Sequence, residues 1–313
     1  MATLKDLAKK EVLITGGHRA CSGCGFPIAI KMILSQVDTP VVVGCATGCM
    51  EVTTTVYPYT AWKPNFIHNA FENVAATISG VETAYRSLKK QGKIDKEIKF
   101  IAFGGDGGTY DIGLQSLSGA MERGHNMVYV CYDNNAYMNT GVQRSSATPL
   151  GTNTSTTPAG TQSTGKPQSR KDLTAIMAAH NIPYVAQAAI SHWNDLVRKA
   201  EKAFTVEGPA FLNVLTSCRL GWAIPPEDAI DAVDGGVQSN FWPLYEVENG
   251  EWKLTFQPRK PLPVADWLKQ QGRFKHLFRG DHSEVLEAIQ RDVDEKFAQL
   301  CRRCGVEPKT AVH

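Results

Sequence analysis

The chain has 313 residues, enough for one large or two small domains with a fully buried core. With 42% hydrophobic and 20% charged residues it reads as an ordinary soluble globular protein, and a net charge of +2 argues against an electrostatic nucleic-acid binder. No apolar run reaches the length of a membrane span, and "MATLKDLAKKEVLITGG" has no apolar stretch leading to a cleavage site, so an uncleaved, cytoplasmic chain is expected.

Short β-rich runs alternate with longer amphipathic ones. "PVVVGC" (40–45) predicts a buried strand, and residues 69–92 a helix closed at Gly92. A strand over 97–105, a helix over 112–124 and a strand over 126–133 follow. Residues 170–181 read as helix, 183–188 as strand, 192–205 as helix and 209–217 as strand. This alternation predicts an α/β fold, a mostly parallel sheet covered by helices on both faces, and the nearly continuous apolar strands agree with burial from both sides. Residues 145–166 are mostly Ser, Thr, Gly and Pro, yet fall inside the α/β array, where a long loop is more often functional than a mere linker. Past residue 219 the alternation fades. A hairpin turning at Asn249-Gly250 (241–256) and a terminal amphipathic helix (282–305) are expected there, so 1–222 reads as the main domain and 223–313 as a C-terminal extension.

The most informative stretch is "FGGDGGTYDIG" (103–113), between a strand and a helix. Glycines let backbone approach a ligand closely, a helix start favours phosphate, and ligands of open α/β sheets bind at strand carboxyl ends. It is neither a Walker loop nor a G-x-G-x-x-G fingerprint. Asp106 would repel a bare phosphate, but makes sense if a divalent cation such as Mg²⁺ bridges it to a diphosphate. A second ligand set should come from the next strand end, "YDNNAYMNTG" (132–141). Gly-Asp-Gly followed, after residues 108–133, by Asn-Asn resembles the motif of thiamine pyrophosphate enzymes. By position the resemblance implies that Asp106 and Asn134 give side-chain oxygens and Ala136 its carbonyl to Mg²⁺, while Gly105, Gly107 and Gly108 cradle the diphosphate with Asp106.

Eight cysteines in so long a chain are not a disulfide scaffold. Cys21-x-x-Cys24 precedes a helix, Cys49 lies just past the first strand, and Cys218 just past "PAFLNVL". If strand ends and helix starts share one sheet edge, four thiolates converge there. By themselves they suit either a [4Fe–4S] cluster or structural zinc, the latter in a non-enzymatic scaffold subunit. A thiamine site next door favours the electron carrier.

"CSGCG", "ATGC", "GGDGGTYDIG", "DNNAYMNTGVQRSSATP" and "TTPAG…GKP" together resemble the β subunit of the 2-oxoacid:ferredoxin oxidoreductases, particularly the pyruvate branch, over residues 21 to about 222. The resemblance implies the thiamine-diphosphate-binding fold. It implies a cluster on Cys21, Cys24, Cys49 and Cys218, with Cys49 beside the thiamine, and Asn139 and Thr140 near its reacting carbon. It also implies oxidative decarboxylation of a 2-oxoacid, with electrons passed singly to the cluster and on to ferredoxin. Pyruvate with coenzyme A is the branch's substrate pair; oxalate, which needs no coenzyme A, 2-oxoisovalerate and 2-oxoglutarate are alternatives, and "LTSCRLGW" departs from the branch's usual Cys-Pro. The implied partners are an α subunit supplying the pyrimidine-side domain with its glutamate, and a ferredoxin-like two-cluster subunit or domain, in a dimer of heteromers. Neither Glu51 nor Glu72 has the pattern of that glutamate, so the chain is expected to be inactive alone. Cys301 and Cys304 read as ordinary thiols, Cys131 and Cys45 as packing, His18 and His68 as structural rather than proton-carrying, and Arg19 and Arg144 as equally suited to an anion or a surface ion pair.

Overall fold

A computed structural model describes residues 3–311; the first and last two residues of the expected domain spans lie outside the described residues. Eight strands form one sheet: β1 (Val41–Ala46), β2 (Asn65–Asn69), β3 (Lys99–Gly105), β4 (Val128–Asp133), β5 (Tyr184–Ala189), β6 (Ala210–Leu215), β7 (Leu244–Glu248) and β8 (Glu251–Phe256). Their order is β8-β7-β5-β6-β4-β3-β1-β2, with every pair from β5 to β2 parallel. Successive residues therefore feed opposite layers. Ile101, Phe103, Val128 and Val130 enter one core with Ile30, Ile33 and Leu196, while Phe100, Ala102, Tyr129 and Cys131 enter the other with Ile78, Leu117 and Phe297. These are the helix-covered faces that the alternation predicts.

Three local expectations change. Residues 65–69 form the edge strand β2, and the helix begins at Val74 rather than 69. "NFIHN" is polar and only partly covered, as edge strands often are, so no apolar run announces it. The helix expected over 112–124 is Leu114–Glu122, and a π-helical turn, Gly107–Ile112, precedes it after β3; such wide turns frequently mark functional sites. The helix expected over 170–181 is only Leu173–Ala178, started by Asp172, whose carboxylate accepts from Ala175 N at 3.1 Å.

The hairpin turns at Asn249 (φ 50°) and Gly250 (φ 86°), the left-handed pair a two-residue turn requires. Instead of standing apart, it joins the sheet: β7 runs antiparallel to β5. The core continues across residue 222 in the same way, since Trp222, Trp242 and Trp267 are fully buried in one layer. The terminal helix Ser283–Cys304 buries Ile289, Val293, Phe297 and Leu300, and ends at Gly305 (φ 65°). Among the described residues no helix is long and apolar enough to cross a membrane.

Candidate active site

Because β1, β3, β4 and β6 are parallel neighbours in register, their carboxyl ends share one edge, and the loops that follow them meet there. A cleft at this edge is lined by Thr47, Gly48 and Cys49 after β1, Gly105 to Gly108 after β3, and Asn134 and Ala136 through Thr140 after β4. The residues expected to hold a diphosphate and its metal are thus brought together, as are Asn139, Thr140 and Cys49.

Two buried carboxylates stand at the centre and are treated differently. Asp133 accepts from Tyr110 Oη at 2.7 Å and from the backbone and side-chain N–H groups of Asn135 at 2.9 and 2.8 Å, with Arg170 at 3.4 Å. It is a neutralised anchor that holds Asn135 in its left-handed conformation (φ 68°) and so shapes the turn after β4. Asp106, 1% exposed, has no such ion pair among the described residues. Its partners are Ser145 Oγ at 2.5 Å and Asn134 N at 3.3 Å. Burial, and then the nearby Asp133 charge, pushes its carboxyl well above the usual range.

One end of the Asn134 amide lies 3.0 Å from Asp106 Oδ1 and 3.0 Å from the Ala136 carbonyl oxygen. With nitrogen at that end the amide donates to both. With oxygen there, three oxygens face one another, an arrangement a hard divalent cation relieves. A buried carboxylate beside the Asn134 amide oxygen and the Ala136 carbonyl fits Mg²⁺.

The glycines are close-approach positions. A Cβ on Gly107 would lie 2.3 Å from the Tyr137 ring, and Tyr137 Oη donates to the Gly107 carbonyl at 2.7 Å. Ser145 and Tyr137 are site residues that sequence reasoning missed. Ser145 opens the Ser/Thr/Gly loop, which proves ordered: Ser146 N donates to Asp111 at 3.0 Å, Thr148 Oγ1 to Asn135 O at 2.7 Å, and buried Lys166 to Thr148 O at 2.6 Å. The available signal was the loop's position inside the α/β array. Replacing Ser145 by Ala should weaken Mg²⁺ retention by about 10–100-fold, the usual loss for a ligand's supporting hydrogen bond, measured by metal titration with thiamine pyrophosphate present.

The cysteines converge beside this cleft. Gly25 N donates to Ser217 O at 3.2 Å, seating Cys24 against the residue before Cys218. A Cβ on Gly25 would lie 2.7 Å from Ser217 N, so Gly25→Ala should cost about 1–3 kcal/mol of stability, readable in urea melts. The Cys24 thiol is raised to about 12, chiefly by burial and in smaller part by the neighbouring Cys218, Cys49 and Cys21, against a hydrogen bond from the Phe26 backbone. Burial likewise raises Cys49 to about 11, opposed by its hydrogen bond to the Asn139 side chain. Cys218 caps the short helix Arg219–Trp222, accepting from Gly221 N at 3.4 Å. Among the described residues no three His, Cys, Asp or Glu side chains are placed to share a single metal ion.

Other candidates fall outside the cleft. Cys45, Cys131 and Cys301 are buried and Cys304 is half-buried on the terminal helix. His18 accepts from Ala20 N at 3.4 Å, Arg19 N donates to Thr53 O at 2.7 Å and Arg144 donates to Gln168 at 3.2 Å. His68 touches the cleft wall indirectly. Thr47 Oγ1 donates to Asn69 O at 2.8 Å, so it accepts from His68 Nε2 at 3.0 Å, while His68 Nδ1 lies 3.5 Å from Glu51. Glu51 is buried behind that contact, Glu72 is exposed, and neither lines the cleft.

Residues 42–214 match the family described as thiamine pyrophosphate enzyme, C-terminal TPP binding domain, which sets the class of the fold. The chain is 51% identical over 302 residues, 95% of its length and 93% of the relative's, to the pyruvate synthase subunit PorB of Thermotoga maritima. It is 51% identical over 293 residues to the PorB of Methanocaldococcus jannaschii, covering 93% of this chain and 97% of the relative. The ketoisovalerate oxidoreductase subunit VorB of Pyrococcus furiosus is 40% identical over 286 residues, 91% of each chain. A solved structure of the 2-oxoglutarate:ferredoxin oxidoreductase of Magnetococcus marinus shares the fold, with a TM-score of 0.52 and 22% identity over 66% of this chain and 72% of that one. The chain belongs to this thiamine pyrophosphate family as a β subunit of the 2-oxoacid:ferredoxin oxidoreductases.

Proposed function

We propose that the chain is the β subunit of a cytoplasmic pyruvate synthase, a hetero-oligomer that converts pyruvate and coenzyme A to acetyl-CoA and CO₂ and reduces ferredoxin. The observation that carries the cofactor reading is Asp106, a buried carboxylate with no ion pair among the described residues, facing the Asn134 amide and the Ala136 carbonyl. The choice of pyruvate is supported by the 51% identity to two PorB subunits against 40% to VorB.

Bound thiamine pyrophosphate supplies the electron sink for decarboxylation, and a [4Fe–4S] cluster the one-electron acceptor. In this reading Asp106, Asn134 and the Ala136 carbonyl hold Mg²⁺. Gly105, Gly107 and Gly108 offer backbone to the diphosphate, with Tyr137 bracing Gly107. Cys21, Cys24, Cys49 and Cys218 hold the cluster; Cys49 lines the cleft as well, which joins the two sites through a single residue. Asn139 and Thr140 face the reacting end, where Asn139 also steadies the Cys49 sulfur. No glutamate lines the cleft among the described residues, so the group that activates the aminopyrimidine comes from a partner α subunit, and a two-cluster ferredoxin-like subunit carries electrons outward to ferredoxin. Residues 1–222 carry most of the cofactor contacts, while 223–313 complete the sheet edge and serve subunit contacts.

Anaerobic purification of the complex tests this. A brown, dithionite-bleachable protein with bound thiamine pyrophosphate, active on pyruvate only with coenzyme A, is expected, and the isolated chain should be inactive. A colourless complex with one zinc and no thiamine would sink the reading, and coenzyme A-independent turnover of oxalate would overturn the choice of substrate.

A further inference from the structure

A buried cation remains that neither the fold nor the cleft accounts for. Arg273 lies in the 3₁₀ segment Gly272–Phe278 of the C-terminal region and is 4% exposed. Its Nε donates to Gln271 Oε1 at 2.9 Å and its Nη2 to Asn135 Oδ1 at 3.0 Å, while its buried Nη1 has no hydrogen-bond partner among the described residues. Both partners are neutral amides. The guanidinium lies 4.4 Å over the Trp222 ring, which it covers like a lid.

Burying a guanidinium among neutral groups is costly unless an anion faces it. Three groups would stabilise its charge when ionised, in the order Cys218, Asp133 and Asp106. Asp133 already has Arg170 and Tyr110, and Asp106 belongs to the metal site. Cys218 remains. It is the cap of the very helix whose Trp222 the guanidinium covers, and Trp222 Nε1 in turn donates to Asn134 O at 2.8 Å. Arg273 therefore sits where the cysteine site and the turn after β4 meet.

We propose that Arg273 is the counter-cation of the iron–sulfur cluster, a positioning residue that sets how readily the cluster accepts an electron. This rests on the reading of Cys21, Cys24, Cys49 and Cys218 as cluster ligands. A [4Fe–4S] cluster held by these cysteines would supply a one-electron acceptor, reduced from a 2+ to a 1+ core by the electron-rich substrate fragment, which is oxidised in turn. A fixed positive charge stabilises the reduced core, with the larger negative total charge, more than the oxidised one. Removing it would drive the potential negative and slow electron entry.

The test is an EPR-monitored redox titration of the anaerobically purified complex, following the signal that disappears in Cys24→Ser. Arg273→Gln is expected to lower the equilibrium constant for reduction about tenfold, which is about 59 mV for one electron. Arg273→Lys, which keeps the charge and loses the planar fork, should stay near the parent. A retained cluster with an unchanged potential in Arg273→Gln overturns the proposal. If Arg273→Gln and Arg273→Met fail to assemble the cluster while Arg273→Lys succeeds, charge is the requirement and the proposal stands; failure of all three assigns the arginine to shape and overturns it. Absence of any Cys24-dependent signal in the parent complex would instead defeat the cluster reading itself.

Discussion

Replacing Asp106 by asparagine is expected to abolish turnover of the assembled enzyme while leaving the cofactor-free chain folded and at least as stable as the parent. The two effects have one cause. Asp106 is buried, and its hydrogen-bond partners are a serine hydroxyl and a backbone N–H. Its carboxyl is held well above the ordinary value of 3.8, first by burial and then by Asp133. A raised carboxyl pKa favours the fold below the unfolded value, and that contribution is lost as pH rises through the folded value. At neutral pH without metal, Asp106 therefore works against the fold. Asparagine keeps an oxygen for Asn134 N and offers an N–H that the Ser145 oxygen can accept, so the geometry survives. The stability advantage of Asp106→Asn over the parent should grow as pH rises from the acid side and vanish when Mg²⁺ and thiamine pyrophosphate saturate the parent. Loss of a charged metal ligand is worth several kcal/mol, so activity should fall by about 10³-fold or more. Chemical denaturation at several pH values and cofactor content after gel filtration provide the readouts. An active variant retaining its thiamine would remove Asp106 from the metal site.

How much of this was legible in the sequence depends on the range of the interaction. The central strands were readable because doubly covered strands are nearly unbroken apolar runs, as in "VYVCYD" and "AFLNVL". The edge strand β2 was not, because "NFIHN" carries its partner information in the register with Val42–Ala46 rather than in its own pattern. The same contrast divides the site. Asp106 and Asn134 are announced by glycine and asparagine spacing just past strands, and the cysteines by their places at strand ends and a helix start. Tyr137 and Arg273 carry no local signal, and Ser145 only that of the loop it opens. Arg273 reaches Asn135 across 138 positions of sequence, and only the folded sheet with its C-terminal cover brings the two together. The division expected at residue 222 fails to mark such contacts for the same reason: composition changes there, but the core does not stop.

Cys218→Ser should separate electron transfer from folding. Cys218 has a structural duty besides its proposed ligation, since its sulfur accepts from Gly221 N at 3.4 Å and starts the helix Arg219–Trp222. Serine is among the preferred residues at that position, so the cap is kept or improved, and stability should change by no more than about 0.5 kcal/mol. Gly221 must still admit Met138, whose sulfur would lie 2.2 Å from a Cβ there, and serine at 218 does not disturb that contact. A neutral hydroxyl is a poor replacement for thiolate on iron, so the cluster site loses one of its four ligands. Ferredoxin reduction by the complex is expected to fall by about 10³-fold, the scale of removing a group that acts only in the reaction itself. Thiamine pyrophosphate should remain bound, because Cys218 does not line the cleft. Cys49→Ser makes the matched comparison: Cys49 does line the cleft and is held by Asn139, so that variant should lose cluster and weaken thiamine binding together. Iron content, thiamine content and ferredoxin reduction, measured on both variants, decide the matter. Equal iron in Cys218→Ser and the parent would take Cys218 out of the cluster, and unaltered thiamine binding in Cys49→Ser would break the proposed junction between the two sites.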